Sequence, residues 1–405
     1  MTHRELASEN KGPLKGVRIL DLTGVVFGAY ATQILGDQGA DVLKVESPSD
    51  PGRGGGGDIT RWNGEVPEGR PRELGPIFLS VNRNKRSLLM DLRRPDVLDQ
   101  LKSLIPHCDV FAASVRYEGL KRLGLSYEEV RAIKPDIIYA MASGYGMDGP
   151  YAGDPAYDDL IQAQTGIADL LNRTDGHPEH RYLPTLIADK SMGLMFAQAI
   201  TAALFHKAQT GQGQFVEVPM FEGMTSFNLV ENHFHHVFEP PIGQWGYTRV
   251  VNPMRKPFET KDGFIGLLPY TEAQWDAFFD AAGWGESFAQ DPRFRDHASR
   301  NRNIRELYAL IGEATKTKTT AEWFALLKPL SIPIVKLNLM EELEDDPHLR
   351  AVGLFEHYDH PDAGPYVAVR PPVRFSESPA SIRRHAPRLG EHTREVLDEL
   401  TGKPR

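Results

Sequence analysis

The chain has 405 residues, 40% of them hydrophobic and 25% charged, with a formal net charge of -9. That composition suits a globular protein of two domains, or of one large domain with an insertion, and the negative balance argues against a general nucleic-acid or anionic-membrane surface, both of which are polyanionic. The lone cysteine, Cys108, excludes an internal disulfide framework and any multi-thiolate metal site; beside His107 it reads as a small buried apolar residue.

The opening residues Met1-Thr2-His3-Arg4-Glu5 lead into no apolar signal segment, and no apolar run approaches bilayer-spanning length, so a soluble cytoplasmic protein is expected. The first elements are a strand at 17–22, a helix at 27–35 and a strand at 41–46, a βαβ unit. The alternation continues with a strand at 86–92, a helix at 96–104, a strand at 110–113, a helix at 127–132 and a strand at 137–142. It resumes with a long apolar helix beginning near Asp189 and ending at Thr210-Gly211-Gln212-Gly213, followed by a strand at 215–218. This pattern predicts an α/β fold, an open, mainly parallel sheet of the Rossmann-like kind. From about 225 to 335 the alternation breaks down into an aromatic and histidine-rich helix, a hairpin at 258–267 and helices at 272–282 and 304–313, which predicts a smaller α+β domain. A sheet-like pattern returns near 333–335 and a polar helix at 391–400 closes the chain, so part of the C-terminal segment is expected to rejoin the first domain.

Several motifs invite chemistry. The run Pro51-Gly52-Arg53-Gly54-Gly55-Gly56-Gly57-Asp58 lacks the Gly-Lys-Ser/Thr ending of a phosphate loop and follows the second strand, so it reads as a mobile loop or a hinged lid. After Leu22 two glycines, Gly24 and Gly28, stand without the third that a dinucleotide fingerprint needs. Glu231, His233, His235 and His236 form the only metal-like cluster, and no second ligand pair completes it, so no metal is expected. No Gly-x-Ser-x-Gly elbow occurs. Lys85, Arg86, Arg93, Arg94, Arg116, Lys121 and Arg122 gather near predicted strand ends, as a solvated face or as phosphate partners. Trp62, Tyr145, His233, His235 and Trp245 are further candidates to line a pocket, though such residues serve as often in cores. Asp189, at the mouth of the long helix, is either a plain N-cap or a carboxylate that the helix terminus keeps ionised for nucleophilic attack on an acyl group.

In order along the chain, Leu14-Lys15-Gly16-Val17-Arg18-Ile19-Leu20-Asp21-Leu22, Gly39-Ala40-Asp41-Val42-Leu43-Lys44-Val45-Glu46, Asn84-Lys85-Arg86-Ser87-Leu88, Pro155-Ala156-Tyr157-Asp158, Thr210-Gly211-Gln212-Gly213-Gln214 and Leu389-Gly390-Glu391-His392-Thr393 resemble the class III coenzyme A-transferases over nearly the whole length. The resemblance implies an acyl-CoA:carboxylate CoA-transferase whose nucleophile is Asp189, passing through a mixed anhydride and an aspartyl thioester. Coenzyme A or acyl-CoA would be the substrate with no prosthetic group, the partner a carboxylic acid acceptor.

By the same resemblance Val25, Val26 and Phe27 lie beside adenosine and pantetheine. Ser47, Met90, Arg93, Ser114, Val115, Arg116 and Arg122 fall at the other CoA contacts. A glutamine of the formyl-CoA transferases is Val26 here, and the Val25-Val26-Phe27 run points to a larger or less polar acyl group than oxalyl. The implied assembly is an interlocked homodimer, with a large domain of 1–222 with 336–405, a small domain of 223–335, and Asp189 facing the partner's small domain. Two other readings stand beside it. One is an α-methylacyl-CoA racemase, which the family carries with a His-Asp pair where this chain has Tyr157-Asp158; Tyr157 is a poor proton shuttle and is expected in the core. The other is a CoA-binding protein without turnover.

Overall fold

Six short runs of aliphatic and aromatic residues pair side by side into one wholly parallel sheet. In the computed structural model, which describes residues 3–48 and 55–402, they are β1 (Arg18–Leu22), β2 (Asp41–Glu46), β3 (Lys85–Leu89), β4 (Val110–Ala113), β5 (Ile138–Ser143) and β6 (Phe215–Pro219). Their spatial order is β3-β2-β1-β4-β5-β6, with Leu20 opposite Leu43 on one side and Phe111 on the other. Ile19, Leu20, Val42, Leu43, Val110 and Phe111 are wholly buried, as strands covered on both faces must be. Beneath them the Tyr139 ring stacks on Phe111 at 4.8 Å and its hydroxyl donates to the Leu125 carbonyl, which satisfies the one polar atom it brings into the core.

The order reverses between β1 and β4. Chain leaving β1 turns toward β2 and chain leaving β4 turns toward β5, so a crevice opens at the carboxyl ends of these two central strands. The helices in chain order are α1 (Phe27–Asp37), α2 (Pro76–Val81), α3 (Pro95–Leu104), α4 (Tyr117–Arg122), α5 (Tyr127–Ile133), α6 (Asp158–Gln164), α7 (Ile167–Asp175), α8 (Ile187–Thr210) and α9 (Met220–Asn232). Helix α8 ends at Gly211, whose left-handed φ of 73° suits glycine alone among common residues. It packs on α1 because Gly193 has no side chain: a Cβ there would stand 2.9 Å from the Phe27 carbonyl oxygen.

The described residues divide into two compact units. The first takes those within Met1–Thr165, Leu183–Phe227 and His348–Arg405; the second takes Gly166–Tyr182 and Asn228–Pro347. Relative to the division expected at 222 and 336, the second unit also holds 166–182 and 336–347, and 223–227 belong to the first. The second unit is built on an antiparallel sheet, β7 (Phe258–Glu259), β8 (Phe264–Leu267) and β9 (Ile334–Lys336), with helices α10 (Glu272–Ala282), α11 (Gly285–Gln290), α12 (His297–Arg302), α13 (Ile304–Thr315) and α14 (Thr320–Leu327). Its core is aromatic, centred on Trp275, Phe278, Phe279, Phe294, Tyr308 and Trp323. The sheet-like return near 333–335 is β9, which pairs antiparallel with β8, Gly266 opposite Val335. The chain re-enters the first unit at His348, within α15 (Pro347–Ala351), and forms the hairpin β10 (Phe355–His360) and β11 (Gly364–Val369) before the closing α16 (Thr393–Thr401).

Buried charges tie the segment after β2 to the sheet. The Lys44 ammonium donates to Asp58 Oδ2 at 2.9 Å and to the Thr23 carbonyl at 2.9 Å. Glu46 accepts from both Arg61 Nε at 2.8 Å and Arg61 Nη2 at 2.6 Å, and Arg61, fully buried, lies over the Phe78 ring. Burial alone would raise the Asp58 carboxyl, but Lys44 and the Thr60 amide and hydroxyl override it and hold it at about 2. Replacing Lys44 leaves Asp58 charged, buried and unpaired, so Lys44→Met is expected to cost on the order of 3–5 kcal/mol in urea unfolding at pH 7. Because the folded Asp58 pKa is depressed, its contribution is present above about pH 4 and is lost as the pH falls toward 2, so the penalty of Lys44→Met shrinks over that window.

Candidate active site

Two cavities of the first unit meet at the strand-order reversal. One, of about 510 Å³, is lined by Ser47, Trp62, Met90, Arg93 and the end of β1; the other, of about 830 Å³, reaches from Arg116 and Arg122 to Asp189. They share Gly24, Val25, Ser114 and Val115, the residues that directly follow β1 and β4. The Gly24 amide donates to Ser114 Oγ at 3.1 Å and the Val25 amide to Asp58 Oδ1 at 3.3 Å, so the buried Lys44–Asp58 pair fixes the ridge between them. Val25 is held at φ 61°, a conformation that costs a β-branched residue about 1–2 kcal/mol.

Asp189 lies at the third position of α8, within the first turn of the helix. The capping alternative fails: the N-cap is Leu186, and no side chain caps this terminus. Its main-chain amide donates instead to Asp158 Oδ2 at 3.0 Å. Asp158 opens α6, and its other oxygen accepts from Gln162 Nε2 at 2.6 Å; Gln162 Oε1 in turn accepts from the Leu183 amide at 2.9 Å. An Asp and a Gln spaced i, i+4 on one helix thus hold the segment that delivers Asp189. The Asp189 side chain is only 8% exposed, faces the larger cavity, and receives no hydrogen bond or ion pair among the described residues.

That isolation overturns the expectation that the helix terminus keeps the carboxylate readily ionised. Desolvation, reinforced by the nearby Asp158 charge, raises the Asp189 carboxyl to about 7. The anion, once formed, is poorly solvated and poorly stabilised, which favours attack on an electrophilic carbonyl.

The sequence-predicted contacts are placed unevenly. Val25, Ser114 and Val115 line both cavities; Ser47, Met90 and Arg93 line the smaller one; Phe27, Arg116 and Arg122 line the larger. Val26, expected beside the ligand, is turned into the interior at 5% exposure and lines neither. Arg93 pairs with Asp91 at 2.8 Å. Arg116 and Arg122 are exposed with no side-chain partner among the described residues. Lys85 and Arg86 do not belong to a phosphate-meeting face: Lys85 is buried against the Ala29 carbonyl and Asn82, and Arg86 pairs with Asp41 and Glu399. Tyr157, expected in the core, is 64% exposed and lines the Asp189 cavity. Tyr145 lines it too, its hydroxyl donating to Gln164 at 2.6 Å.

His233 and His236 stack on Trp245 in the second unit, and among the described residues no group of three His, Cys, Asp or Glu is arranged to hold a metal. Residues 51–54 of the glycine run lie outside the described residues; Gly55 to Gly57 pack by Trp62, whose indole donates to the Gly56 carbonyl at 3.0 Å. No helix among the described residues is long and apolar enough to cross a membrane. Asp158 and Gln162 were missed as positioning residues, although their i, i+4 spacing is visible in the sequence.

A profile of CoA-transferase family III matches residues 14–393. The chain belongs to CoA-transferase family III. It is 30% identical over 397 residues to the succinate–glutarate CoA-transferase of Agrobacterium fabrum, covering 96% of each chain. It is 33% identical over 409 residues to the formyl-CoA:oxalate CoA-transferase of Afipia carboxidovorans, covering 96% of this chain and 93% of that one. Among solved structures, a CAIB/BAIF family protein from Brucella suis superposes with a TM-score of 0.79 at 29% identity, over 96% of this chain and 100% of that chain. The family assignment makes the protein a CoA-transferase, an enzyme of acyl-CoA metabolism whose substrates are CoA thioesters and carboxylates.

Two outcomes follow for this family III enzyme. A folded Asp189 that titrates at about 7, against about 4 when unfolded, makes folding take up a proton, so stability falls as pH rises from 4 to 7. Asp189→Asn is therefore expected to raise unfolding free energy at pH 8 by on the order of 2–4 kcal/mol and to leave it nearly unchanged at pH 4, read by urea titration. Val25→Gly is expected to raise stability by about 1 kcal/mol through relief of the left-handed strain, while the loosened ridge raises KM for acyl-CoA severalfold.

Proposed function

We propose that this enzyme moves CoA between carboxylic acids through covalent intermediates on Asp189. The observation that carries the reading is the Asp189 carboxylate itself, buried, unpaired and open to the larger cavity. An Asp189 oxygen attacks the thioester carbonyl, the C–S bond breaks, and CoA thiolate leaves a mixed anhydride. Thiolate then attacks the aspartyl carbonyl, the anhydride C–O bond breaks, and the donor acid departs from an aspartyl thioester. The acceptor carboxylate attacks that thioester and releases thiolate again. Thiolate finally takes the acyl group from the second anhydride, giving the new acyl-CoA and restoring Asp189. Thioester is exchanged for thioester, so the cycle is nearly energy-neutral and consumes no nucleotide.

CoA would follow the groove. The smaller cavity, with Ser47, Trp62, Met90 and Arg93, suits the nucleotide, and the free guanidinium groups of Arg116 and Arg122 suit its phosphates. The shared ridge of Gly24, Val25, Ser114 and Val115 would guide pantetheine toward Asp189.

The quaternary part of the proposal is the interlocked homodimer. A helix that is apolar around its whole circumference normally lies fully inside a protein, yet α8 exposes Leu194 at 54% and Phe205 at 64%. In the second unit Val230 is 82% and Met340 84% exposed, which supports cover by a second copy of the chain.

The test combines trapping and pH. Incubation with acyl-CoA followed by hydroxylamine or borohydride is expected to modify Asp189, and Asp189→Asn to lower exchange by at least about a thousandfold while remaining folded. Retained exchange in that variant overturns the mechanism. Since attack needs the ionised form, kcat/KM is expected to rise with pH through about 7. Asp158→Asn removes a charge that raises Asp189, so the rising limb should move to lower pH; an unmoved limb would detach the profile from this carboxyl.

A further inference from the structure

The motif that ends β1 buries a carboxylate for which the proposed chemistry has no direct use. Asp21 is wholly buried, and donors take up both of its oxygens. Oδ1 accepts from the Thr23 amide at 2.9 Å and from the Thr23 hydroxyl at 2.6 Å. Oδ2 accepts from the Thr32 hydroxyl at 2.7 Å and lies 3.4 Å from the Lys85 ammonium. These donors fall into two groups. Thr23 directly precedes Gly24 of the ridge that both cavities share, and its carbonyl accepts from Lys44 at 2.9 Å. Thr32 belongs to α1, and Lys85 also donates to the Ala29 carbonyl of α1 at 2.9 Å. One carboxylate therefore joins ridge to helix. The fit between them is close, for a Cβ on Gly28 of α1 would stand 2.4 Å from Thr23 Cβ.

Helix α1 in turn sets the helix of the nucleophile. Its Phe27 carbonyl lies against Gly193, one turn beyond Asp189, where a Cβ would also stand 3.1 Å from the Tyr30 ring; the Phe27 ring meets Phe196 edge-on at 5.8 Å. Resting on the transferase reading, we infer that Asp21 is a positioning residue of the transfer. It sets the ridge that guides the thioester against the helix that carries Asp189, and the Thr32 hydroxyl is the link on the helix side. Four charged side chains, Asp21, Lys44, Asp58 and Lys85, are buried in this network, although well-packed apolar residues of like volume would hold a fold as firmly. Their use is geometric. Apolar contact is non-directional, whereas a carboxylate with its donors satisfied accepts one arrangement of them. Attack on a carbonyl needs the reacting atoms about 3–3.5 Å apart, and a displacement of about 1 Å costs up to about a hundredfold in rate. Loosening the link on the α1 side is therefore read in the chemical step. CoA affinity is spared, because Lys44 and Asp58 still hold the ridge.

Asp21 balances the Lys85 charge, so the test is made at Thr32, which is wholly buried and lines neither cavity. Thr32→Val keeps the shape and removes the hydroxyl; Thr32→Ser keeps the hydroxyl. The full-length enzyme is mixed with acetyl-CoA, isobutyryl-CoA or succinyl-CoA, acylation of Asp189 is followed over a single turnover by rapid quench and mass spectrometry, and CoA binding is measured by calorimetry. With the donor that the wild type uses fastest, Thr32→Val is expected to slow acylation at least about tenfold while Kd for CoA stays within about threefold. Thr32→Ser is expected within about threefold of the wild-type rate. Val130→Ala truncates a core cluster that includes no residue of α1 or α8, and it is expected to lower stability in urea and leave the acylation rate unchanged. An unchanged rate in Thr32→Val overturns the inference, as does equal slowing in Thr32→Ser or in Val130→Ala. A wild-type enzyme that no donor acylates at Asp189 overturns the transferase reading, and this inference with it.

Discussion

The structure depends on one topological constraint, the reversal of strand order between β1 and β4. The parallel strands at the centre of the sheet, covered on both faces, bury nearly all their side chains, which leaves the strand ends as the place where chemistry meets solvent. At the reversal the segments after β1 and β4 separate, and both cavities open there, sharing Gly24, Val25, Ser114 and Val115. Lys44 and Glu46 of β2 reinforce this edge from inside the sheet. Their partners, Asp58 and Arg61, draw the chain after residue 55 against it, and Asp58 in turn receives the Val25 amide. Buried ion pairs contribute little net stability against an apolar replacement, so their presence here is best understood as fixing one geometry for a strained ridge.

Asp189 and Asp158 illustrate how function is set against stability. Capping would have been the stabilising use of an aspartate near a helix start, but Asp189 lies inside the first turn, buried and unpaired. Asp158 accepts the main-chain amide of Asp189 and leaves its side chain free. The same contact brings a second negative charge close, which adds to desolvation in raising the Asp189 carboxyl to about 7. A carboxylate of this kind is destabilising in the resting fold, and the proposed acylation removes the charge that makes it so. Gln162 and the close approach of α8 to α1 at Gly193 hold the group where relaxation would otherwise carry it toward water.

Family membership and the apolar walls bear on different questions. The first concerns the enzyme class and extends over almost the whole chain. The second line the cavity onto which Asp189 opens, a few side chains that include Phe27, Ala156, Tyr157 and three methionines, and a fold by itself does not fix what such a wall admits. A transferase cycle that needs only one carboxylate and a thiolate can be retained while the acyl wall changes.

Much of the fold was legible in the sequence because parallel strands and their helices carry strong local patterns. Val110–Ala113 and Asp41–Glu46 read as strands from composition, and Gly211 marked the end of α8. Asp189 was read at the mouth of the long helix and lies at its third position, and Arg116 follows β4 as read. What the sequence could not show were outcomes of side-chain direction and long-range pairing. Val26 turns inward while Val25 beside it faces the groove, Tyr157 is exposed, and Lys85 and Arg86 spend their charge on partners inside the first unit. β9 joins β8 across more than sixty intervening residues, which no local period reveals. The amino-acid sequence by itself determined the parallel α/β architecture and the family, since both follow from periodicity and ordered motifs. Only tertiary structure decided the protonation behaviour of Asp189 and the character of its cavity, because desolvation and charge proximity arise from residues brought together after the chain has folded.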